Sequence, residues 1–268
     1  PVQLAGETMG TTWHVTYIST LQDVTPERIQ QGIEAQLEQV NRAMSTYSSD
    51  SEISRFNATA PLKRFNISPE FATVLQAALD VGVKSEGAYD VTVMPLVDLW
   101  GFGPTGPIDT PPDAQDIARL RDQVGQHNIL VDGENLNIMK LRDLSLDLSS
   151  LAKGYGVDRV AQWLQEQGIV RYMIEVGGEM RLSGLSGRGD AWRMVVEQPE
   201  SSERSVATIL QLTNVGIATS GDYRNYFEAD GRRYSHLIDP RTGYPVAHDL
   251  VSVTVVHASC MIADAWAT

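Results

Sequence analysis

Apolar positions along this chain follow two rhythms, which predict helices in its first half and mostly short strands in its second. Trp13-His-Val-Thr-Tyr-Ile18 alternates as a strand does. Thr25-Pro26-Glu27 reads as a helix start, with Thr as cap and Pro in the first turn. Ile29, Ile33, Leu37, Val40 and Met44 then share one helical face. A polar loop from Ser45 to Ser51 leads into Glu52-Ile-Ser-Arg-Phe-Asn57. Ser68-Pro69-Glu70 opens a second helix, whose stripe is Phe71, Val74, Leu75, Ala78 and Leu79. Gly87-Ala88-Tyr89-Asp90 breaks the pattern before an apolar run from Val91 to Trp100. A Gly- and Pro-rich loop follows, then a helix from about Asp113 to Gln123.

Beyond that point Asn128 to Asp132 and Asn135 to Met139 flank Asp132-Gly133, a hairpin signal. Leu144 to Leu148 reads as a short strand running into a helix that carries Val157, Val160, Ala161 and Leu164 and ends before Gly168. Short strands are expected near 171–176, 179–184, 192–197, 206–212, 215–220, 222–228, 232–238 and 250–257, with an Asp230-Gly231 turn between the sixth and seventh. Residues 259–268 open a last helix, inside which the sequence stops. Early helices and many late strands fit an α+β fold: mixed and antiparallel sheets with packed helices, in one compact domain with room for two lobes.

Composition narrows the function. With 42% hydrophobic and 21% charged residues the chain is an ordinary globular one. A net charge of -13 argues against nucleic acid, though a small phosphorylated ligand needs only a local positive site or a metal ion. The single cysteine, Cys260, excludes an intramolecular disulfide and sits among apolar neighbours as a small core residue would. No window approaches ~18 uninterrupted apolar residues. The start at Pro1 implies that something upstream was removed.

Four segments carry candidate chemistry. Ser235-His-Leu-Ile-Asp-Pro-Arg-Thr-Gly243 puts His236, Asp239 and Arg241 around one turn, as either a polar surface turn or a site for a charged substrate. Asp147-Leu-Ser-Ser-Leu-Ala-Lys-Gly154 runs from an extended segment into a helix start, where N–H groups and Lys153 favour anions; Asp147 could equally cap the helix. Glu175-Val-Gly-Gly-Glu179 suits a tight hairpin or a close backbone approach to a ligand. Asp264 and Thr268, four apart on a helix, could offer two oxygens to Mg²⁺, or Asp264 could serve the helix dipole. The other histidines, His14, His127, His248 and His257, show no zinc spacing.

Taken in order, these segments resemble the ApbE family of FAD:protein FMN transferases. The matching stretches are Thr8-Met-Gly-Thr11, Ser45-Thr-Tyr47 with Ser51 to Asn57, Gly87 to Asp90, Asp147 to Tyr155, Val176-Gly-Gly178, Thr219 to Arg224, Ser235 to Gly243 and Ala263 to Thr268. The resemblance implies one flavin transferase domain over residues 1–268, cut short at its C-terminal end. It implies a Mg²⁺-dependent enzyme that moves FMN from FAD to a Thr or Ser hydroxyl of a target redox protein, through a phosphoester, with release of AMP. It further implies a periplasmic protein held at the inner membrane by a lipid upstream of residue 1.

By position, the resemblance assigns FAD contacts to Met9, Tyr47, Ala88, Tyr89, Asp90, Asp147, Lys153 and Ile238. It assigns the metal to the side chains of Asp264 and Thr268 and to Ser150, through its carbonyl. Some relatives carry an acidic residue where this chain has Ala267, so that position offers no carboxylate here. Displacement at a pyrophosphate phosphorus builds negative charge that Mg²⁺ and Lys153 can stabilise. A Thr hydroxyl needs a base, and His236 is the first candidate, with Asp239 to orient it or Asp264 acting instead. Arg241 could touch phosphate or stay on the surface. Rival functions are a Mg²⁺-dependent FAD pyrophosphatase, using the same groups on water, and a flavin carrier without turnover.

Overall fold

A computed structural model describes residues 1–19, 24–197, 206–221, 225–247 and 250–268. Asp222, Tyr223 and Arg224 of the Thr219 to Arg224 stretch, the start of the strand expected near 222, and His248 lie outside the described residues. The chain divides into two compact units. The first comprises Pro1–Asn41, Leu151–Ser220 and Ser252–Ala267; the second comprises Arg42–Ser150, Gly221–Val251 and Thr268.

The first unit is built on a six-stranded sheet. Its order is β1 (Val2–Thr8), β2 (Thr11–Tyr17), β6 (Tyr172–Val176), β7 (Glu179–Ser183), β10 (Val215–Gly221) and β13 (Ser252–His257). The pairs from β1 through β10 are antiparallel. Helices α1 (Pro26–Met44) and α6 (Ser149–Glu166) share a core with this sheet: Ile29, Ile33 and Leu37 meet Val157, Val160, Ala161 and Leu164 over Trp13, Val15, Ile174 and Val176. Trp192 and Met194 of β8 (Trp192–Glu197) join Leu182 and Ile217 in a second core, with Leu210 and Leu212 of β9 (Val206–Leu212) packed against it. The short α7 (Cys260–Ala267) follows β13.

The second unit contains α2 (Glu52–Asn57), α3 (Pro69–Lys84), α4 (Met94–Leu99), α5 (Ala114–Arg121), a sheet of β3 (Phe65–Asn66), β5 (Asn137–Lys140) and β4 (Ile129–Asp132), and a ribbon of β11 (Tyr226–Ala229) with β12 (Arg232–Ser235). Ser68 and Asp113, at helix starts expected from the sequence, each accept a backbone N–H there, and Ser51 does the same at the start of α2.

Two expectations are corrected. Leu144 to Leu148 joins no sheet. Leu144, Leu146 and Leu148 are buried, but Leu146 pairs with the Asn57 amide through both its N–H and its carbonyl, and Asp147 N–H donates to the Val91 carbonyl. Side-chain and loop partners thus replace a neighbouring strand. The apolar run from Val91, to which the sequence assigns no element, forms a 3-10 turn (Val91–Val93) followed by α4. The β4–β5 hairpin does not turn on Asp132-Gly133 alone. Four residues connect the strands, Leu136 takes the positive φ of 49°, and the Asp132 carboxylate accepts from Asn135. Strand β1 had no prediction, because its apolar alternation is weak and Gly6 interrupts it.

Candidate functional site

In the first unit three helical and strand positions converge on one charged cluster. Lys153 stands in the second turn of α6, Glu179 opens β7, and Asp264 lies midway along α7. Lys153 Nζ is 2.6 Å from Glu179 Oε2, and Asp264 Oδ2 accepts the Gly154 N–H at 2.9 Å. Glu179 and Asp264 are both about 2% exposed. Burial and the neighbouring Glu179 charge push the Asp264 carboxyl up to about 8, opposed by Lys153 and the Gly154 N–H. Burial raises Glu179 as well, against the pull of Lys153. For Lys153, burial works downward, but the Asp264 and Glu179 charges outweigh it and hold the ammonium above the usual lysine range. Two carboxyl groups thus share one ammonium, and Asp264 keeps its proton up to about pH 8.

Close packing fixes α7 in this place. A Cβ on Gly154 would lie 2.5 Å from the Cys260 carbonyl oxygen and 2.9 Å from Asp264 Cβ; one on Gly216 would lie 2.5 Å from the Cys260 nitrogen. Only glycine admits that approach. The α7 start is held by Asp158 of α6, which accepts from the Ser259 hydroxyl and from the N–H groups of Cys260 and Met261. An anion at this helix end is favoured by the backbone dipole. Arg181 closes on the same carboxylate. Cys260 is a buried thiol raised well above its ordinary value, by burial first and then by the charges of Asp158, Asp264 and Glu179, so it is packing and not a nucleophile.

Glu175 to Glu179 is a two-residue hairpin, with Gly177 and Gly178 at φ 57° and 106°. Glu175 pins the turn by accepting the Gly178 N–H at 2.6 Å while pairing with His14 at 2.8 Å. Met9, at φ 50°, sits at the tip of the β1–β2 hairpin, near enough to Gly156 that an added Cβ there would lie 3.2 Å from Met9 Cε.

The second unit holds the remaining candidates. His236 Nδ1 lies 3.0 Å from the Asn225 carbonyl oxygen. A carbonyl only accepts, so in the neutral ring Nδ1 carries the proton and Nε2 the lone pair. The group that meets Nδ1 is thus a backbone carbonyl. Asp239 accepts from Arg241, through the backbone N–H at 2.9 Å and the guanidinium at 3.0 and 2.9 Å. The Arg241 side-chain hydrogen bond, with lesser help from its backbone N–H and its charge, holds the Asp239 carboxyl below its ordinary value. The following turn is anchored by the Trp100 indole, which donates to the Gly243 carbonyl at 2.9 Å. Trp100 stacks on Tyr234, Tyr234 on Phe227, and Phe102 meets the His236 ring edge-on. Ile238 packs against the Leu96, Trp100 and Ile117 cluster.

Tyr89 and Ser150 are joined through their hydroxyls at 2.6 Å. Asp90 serves the backbone: one oxygen takes the Thr92 N–H and hydroxyl, the other the Gln126 N–H. Asp147 caps the start of α6 through the Ser149 N–H at 2.8 Å. Ala88 precedes this pair in the same loop. Tyr47 is 75% exposed, an aromatic face open to solvent. Thr268 directly follows α7 and is exposed. Ser149 and Ser150 belong to the second unit while the rest of α6 belongs to the first.

The family profile of ApbE matches residues 9–268. The chain belongs to the ApbE family. It is 47% identical over 267 residues to the "FAD:protein FMN transferase" of Vibrio cholerae, covering 100% of this chain and 80% of that protein. It is 44% identical to the one of Haemophilus influenzae, covering 100% and 79%. Among solved structures, the flavin transferase ApbE from Vibrio cholerae superposes with a TM-score of 0.92 at 45% identity, covering 99% of this chain and 84% of that one. The apo flavinyl transferase ApbE from Pseudomonas stutzeri gives 0.91 at 38%, covering 99% and 82%.

Sequence reasoning left Glu179, Asp158 and the Asn225 carbonyl out of the ApbE site. Glu179 stood in view as half of a glycine turn, but nothing in the sequence marked it as buried. Gly154 and Asp158 offered a signal: four apart on α6, they share one face, where a small residue and an acid suit the start of a crossing helix.

Proposed function

We propose that this chain is an FAD:protein FMN transferase. It binds FAD and a protein acceptor, and transfers FMN to a Thr or Ser hydroxyl with release of AMP. The hydroxyl oxygen forms a bond to the FMN phosphorus, the pyrophosphate bond breaks, and the hydroxyl proton passes to the base. The observation that carries this reading is the Lys153, Glu179 and Asp264 cluster, two buried carboxyl groups beside one ammonium, in a chain matched end to end by flavin transferases.

The donor set suits Mg²⁺. Among the described residues no three His, Cys, Asp or Glu side chains are grouped to hold a metal. A hard cation such as Mg²⁺ takes oxygen ligands and keeps several waters. Asp264 is held in place by Gly154, and its carboxyl, raised to about 8, would lose its proton to water once a bound cation lowered that value. Asp264, the Thr268 hydroxyl and the Ser150 carbonyl would hold the ion, which would supply charge stabilisation at the phosphoryl oxygens.

The chain's own residues divide the remaining work. His236 accepts the hydroxyl proton at Nε2, its ring fixed by the Asn225 carbonyl. Lys153 offers an ammonium to the pyrophosphate. Tyr47, Met9, Tyr89, Ile238 and the loop from Ala88 to Asp90 line the flavin nucleotide, and Asp147 keeps the α6 start in the form an anion needs. The lipid-anchored periplasmic location is part of the same proposal, and fractionation of cells making the full-length protein tests it.

Incubation with FAD, Mg²⁺ and a Thr-bearing redox protein tests the reaction. In-gel flavin fluorescence on the acceptor is the expected result. Free FMN and AMP alone would make the chain a pyrophosphatase, and unchanged FAD would make it a carrier.

A further inference from the structure

We propose that Glu179 is a positioning residue for the transfer, holding the Lys153 ammonium where the pyrophosphate meets it. This rests on the reading of Lys153 given above. A lysine side chain has four rotatable carbons and loses much rotamer freedom when fixed. Here three features fix it. Nζ is 2.6 Å from Glu179 Oε2. The stem passes so close to Gly177 that an added Cβ would lie 3.1 Å from Lys153 Cδ. The turn carrying Glu179 is itself pinned, since Glu175 accepts the Gly178 N–H at 2.6 Å and pairs with His14.

The number of carboxylates points the same way. Neutralising one ammonium needs one carboxylate, and burying a second is unfavourable unless it has its own work. Asp264 is assigned to the cation, so Lys153 needs a counter-charge that the cation does not claim. Glu179 is that charge. Its side chain is about 3% exposed and that of Lys153 about 32%, so the carboxylate stays sealed while the ammonium reaches solvent and ligand.

A double-mutant cycle on AMP release from FAD, with Mg²⁺ and the acceptor of the transfer assay, separates this role from a structural one. Lys153→Met should lower turnover about 10²-fold, as loss of one preorganised charge does. Glu179→Gln should lower kcat about tenfold, the lower end of the loss expected when a supporting partner is removed. It should leave the Mg²⁺ dependence unchanged and FAD affinity, read by flavin fluorescence, within about twofold. Added to Lys153→Met, Glu179→Gln should reduce turnover no further, because its route to the reaction is gone. The double variant should also melt higher than Lys153→Met alone, which leaves Glu179 buried and unpaired.

A second, multiplicative loss in the Lys153→Met background would give Glu179 a role of its own and overturn the proposal. So would a wild-type rate for Glu179→Gln, or a melting temperature low enough to unfold it under assay. If Lys153→Met itself kept the full rate, the assignment of Lys153 would fall instead, and the two failures are read from different variants.

Discussion

The two units hold their charged pairs in opposite ways. In the first, Lys153 meets Glu179 at 2.6 Å with the carboxylate almost fully buried and a second carboxylate, Asp264, nearby. In the second, Arg241 closes on Asp239 at 2.9 Å with its side chain 61% exposed. Burial strengthens the first pair and makes each partner depend on the other. Solvent weakens the second to a staple on a turn. The contrast extends to the candidate catalytic groups. The Asp264 carboxyl is forced by its surroundings to about 8, whereas His236 is directed by a neutral carbonyl and aromatic packing. One region handles charge, and the other presents a lone pair in a fixed direction.

The sharpest way to break this division is to remove Asp264. Asp264→Ala should cost at least roughly 10³-fold in Mg²⁺-dependent turnover, the scale of losing a main electrostatic group at a phosphoryl centre. Full activity with unchanged Mg²⁺ dependence would remove Asp264 from the metal site. His236→Ala comes next: a loss on the order of 10²-fold in kcat, the lower range for a general base, with FAD binding nearly intact. Equal loss in FAD affinity and in rate would recast His236 as a binding residue.

The regions also differed in how far their sequence revealed them. The α1 and α3 stripes, the helix starts at Ser68 and Asp113, and the glycine turns at 177–178 and 230–231 are local signals, and the structure agrees with each. Leu144 to Leu148 looked like a strand because alternation reports burial, not pairing; the Asn57 amide that replaces a partner strand is about 90 residues away, at a separation of 89. The same distance problem hid Glu179. Its burial depends on α6 and α7, and its pairing with Lys153 spans elements that no local pattern connects. For His236 the residue was legible and its orienting partner was not, since a backbone carbonyl carries no sequence signature.

Two subtler changes sharpen the picture of the charged region. Gly154→Ala would place a methyl 2.5 Å from the Cys260 carbonyl oxygen, so α7 must shift and carry Asp264 with it. Overpacking of this kind costs about 1–3 kcal/mol. The Mg²⁺ requirement should rise about tenfold as the Asp264 to Gly154 hydrogen bond loosens. An unchanged requirement would mean that the helix spacing is not what sets the metal site. The pH dependence of melting probes Asp264 without mutation. Its folded value of about 8 lies above the unfolded carboxylate value of ~3.9. The folded chain therefore binds more protons across that interval. The stabilisation is complete below about pH 4 and is lost as pH rises toward 8. Metal-free protein should melt lower at about pH 8 than at about pH 5, Mg²⁺ should restore more at the higher pH, and Asp264→Asn should flatten the profile. A metal-free melting temperature that rises across that interval would show that Asp264 is not held protonated.

The smallest expected effect falls on the exposed pair. Arg241→Gln removes a guanidinium fork from Asp239, yet the turn keeps its backbone bonds: Arg241 N–H still donates to Asp239 Oδ1, and Gly243 N–H to the Asp239 carbonyl. Trp100 still holds the Gly243 carbonyl, so the segment that carries His236 should stay in place. Exposed pairs seldom contribute measurably, and neither melting temperature nor kcat should move beyond error. FAD concentration dependence is the informative measurement. If Arg241 reached a phosphate on binding, it would leave Asp239 for the ligand, and its loss would raise KM for FAD while leaving melting unchanged. An unchanged KM keeps Arg241 as a surface staple; a raised one would put a phosphate contact in the second unit and end the separation of charge handling from base catalysis.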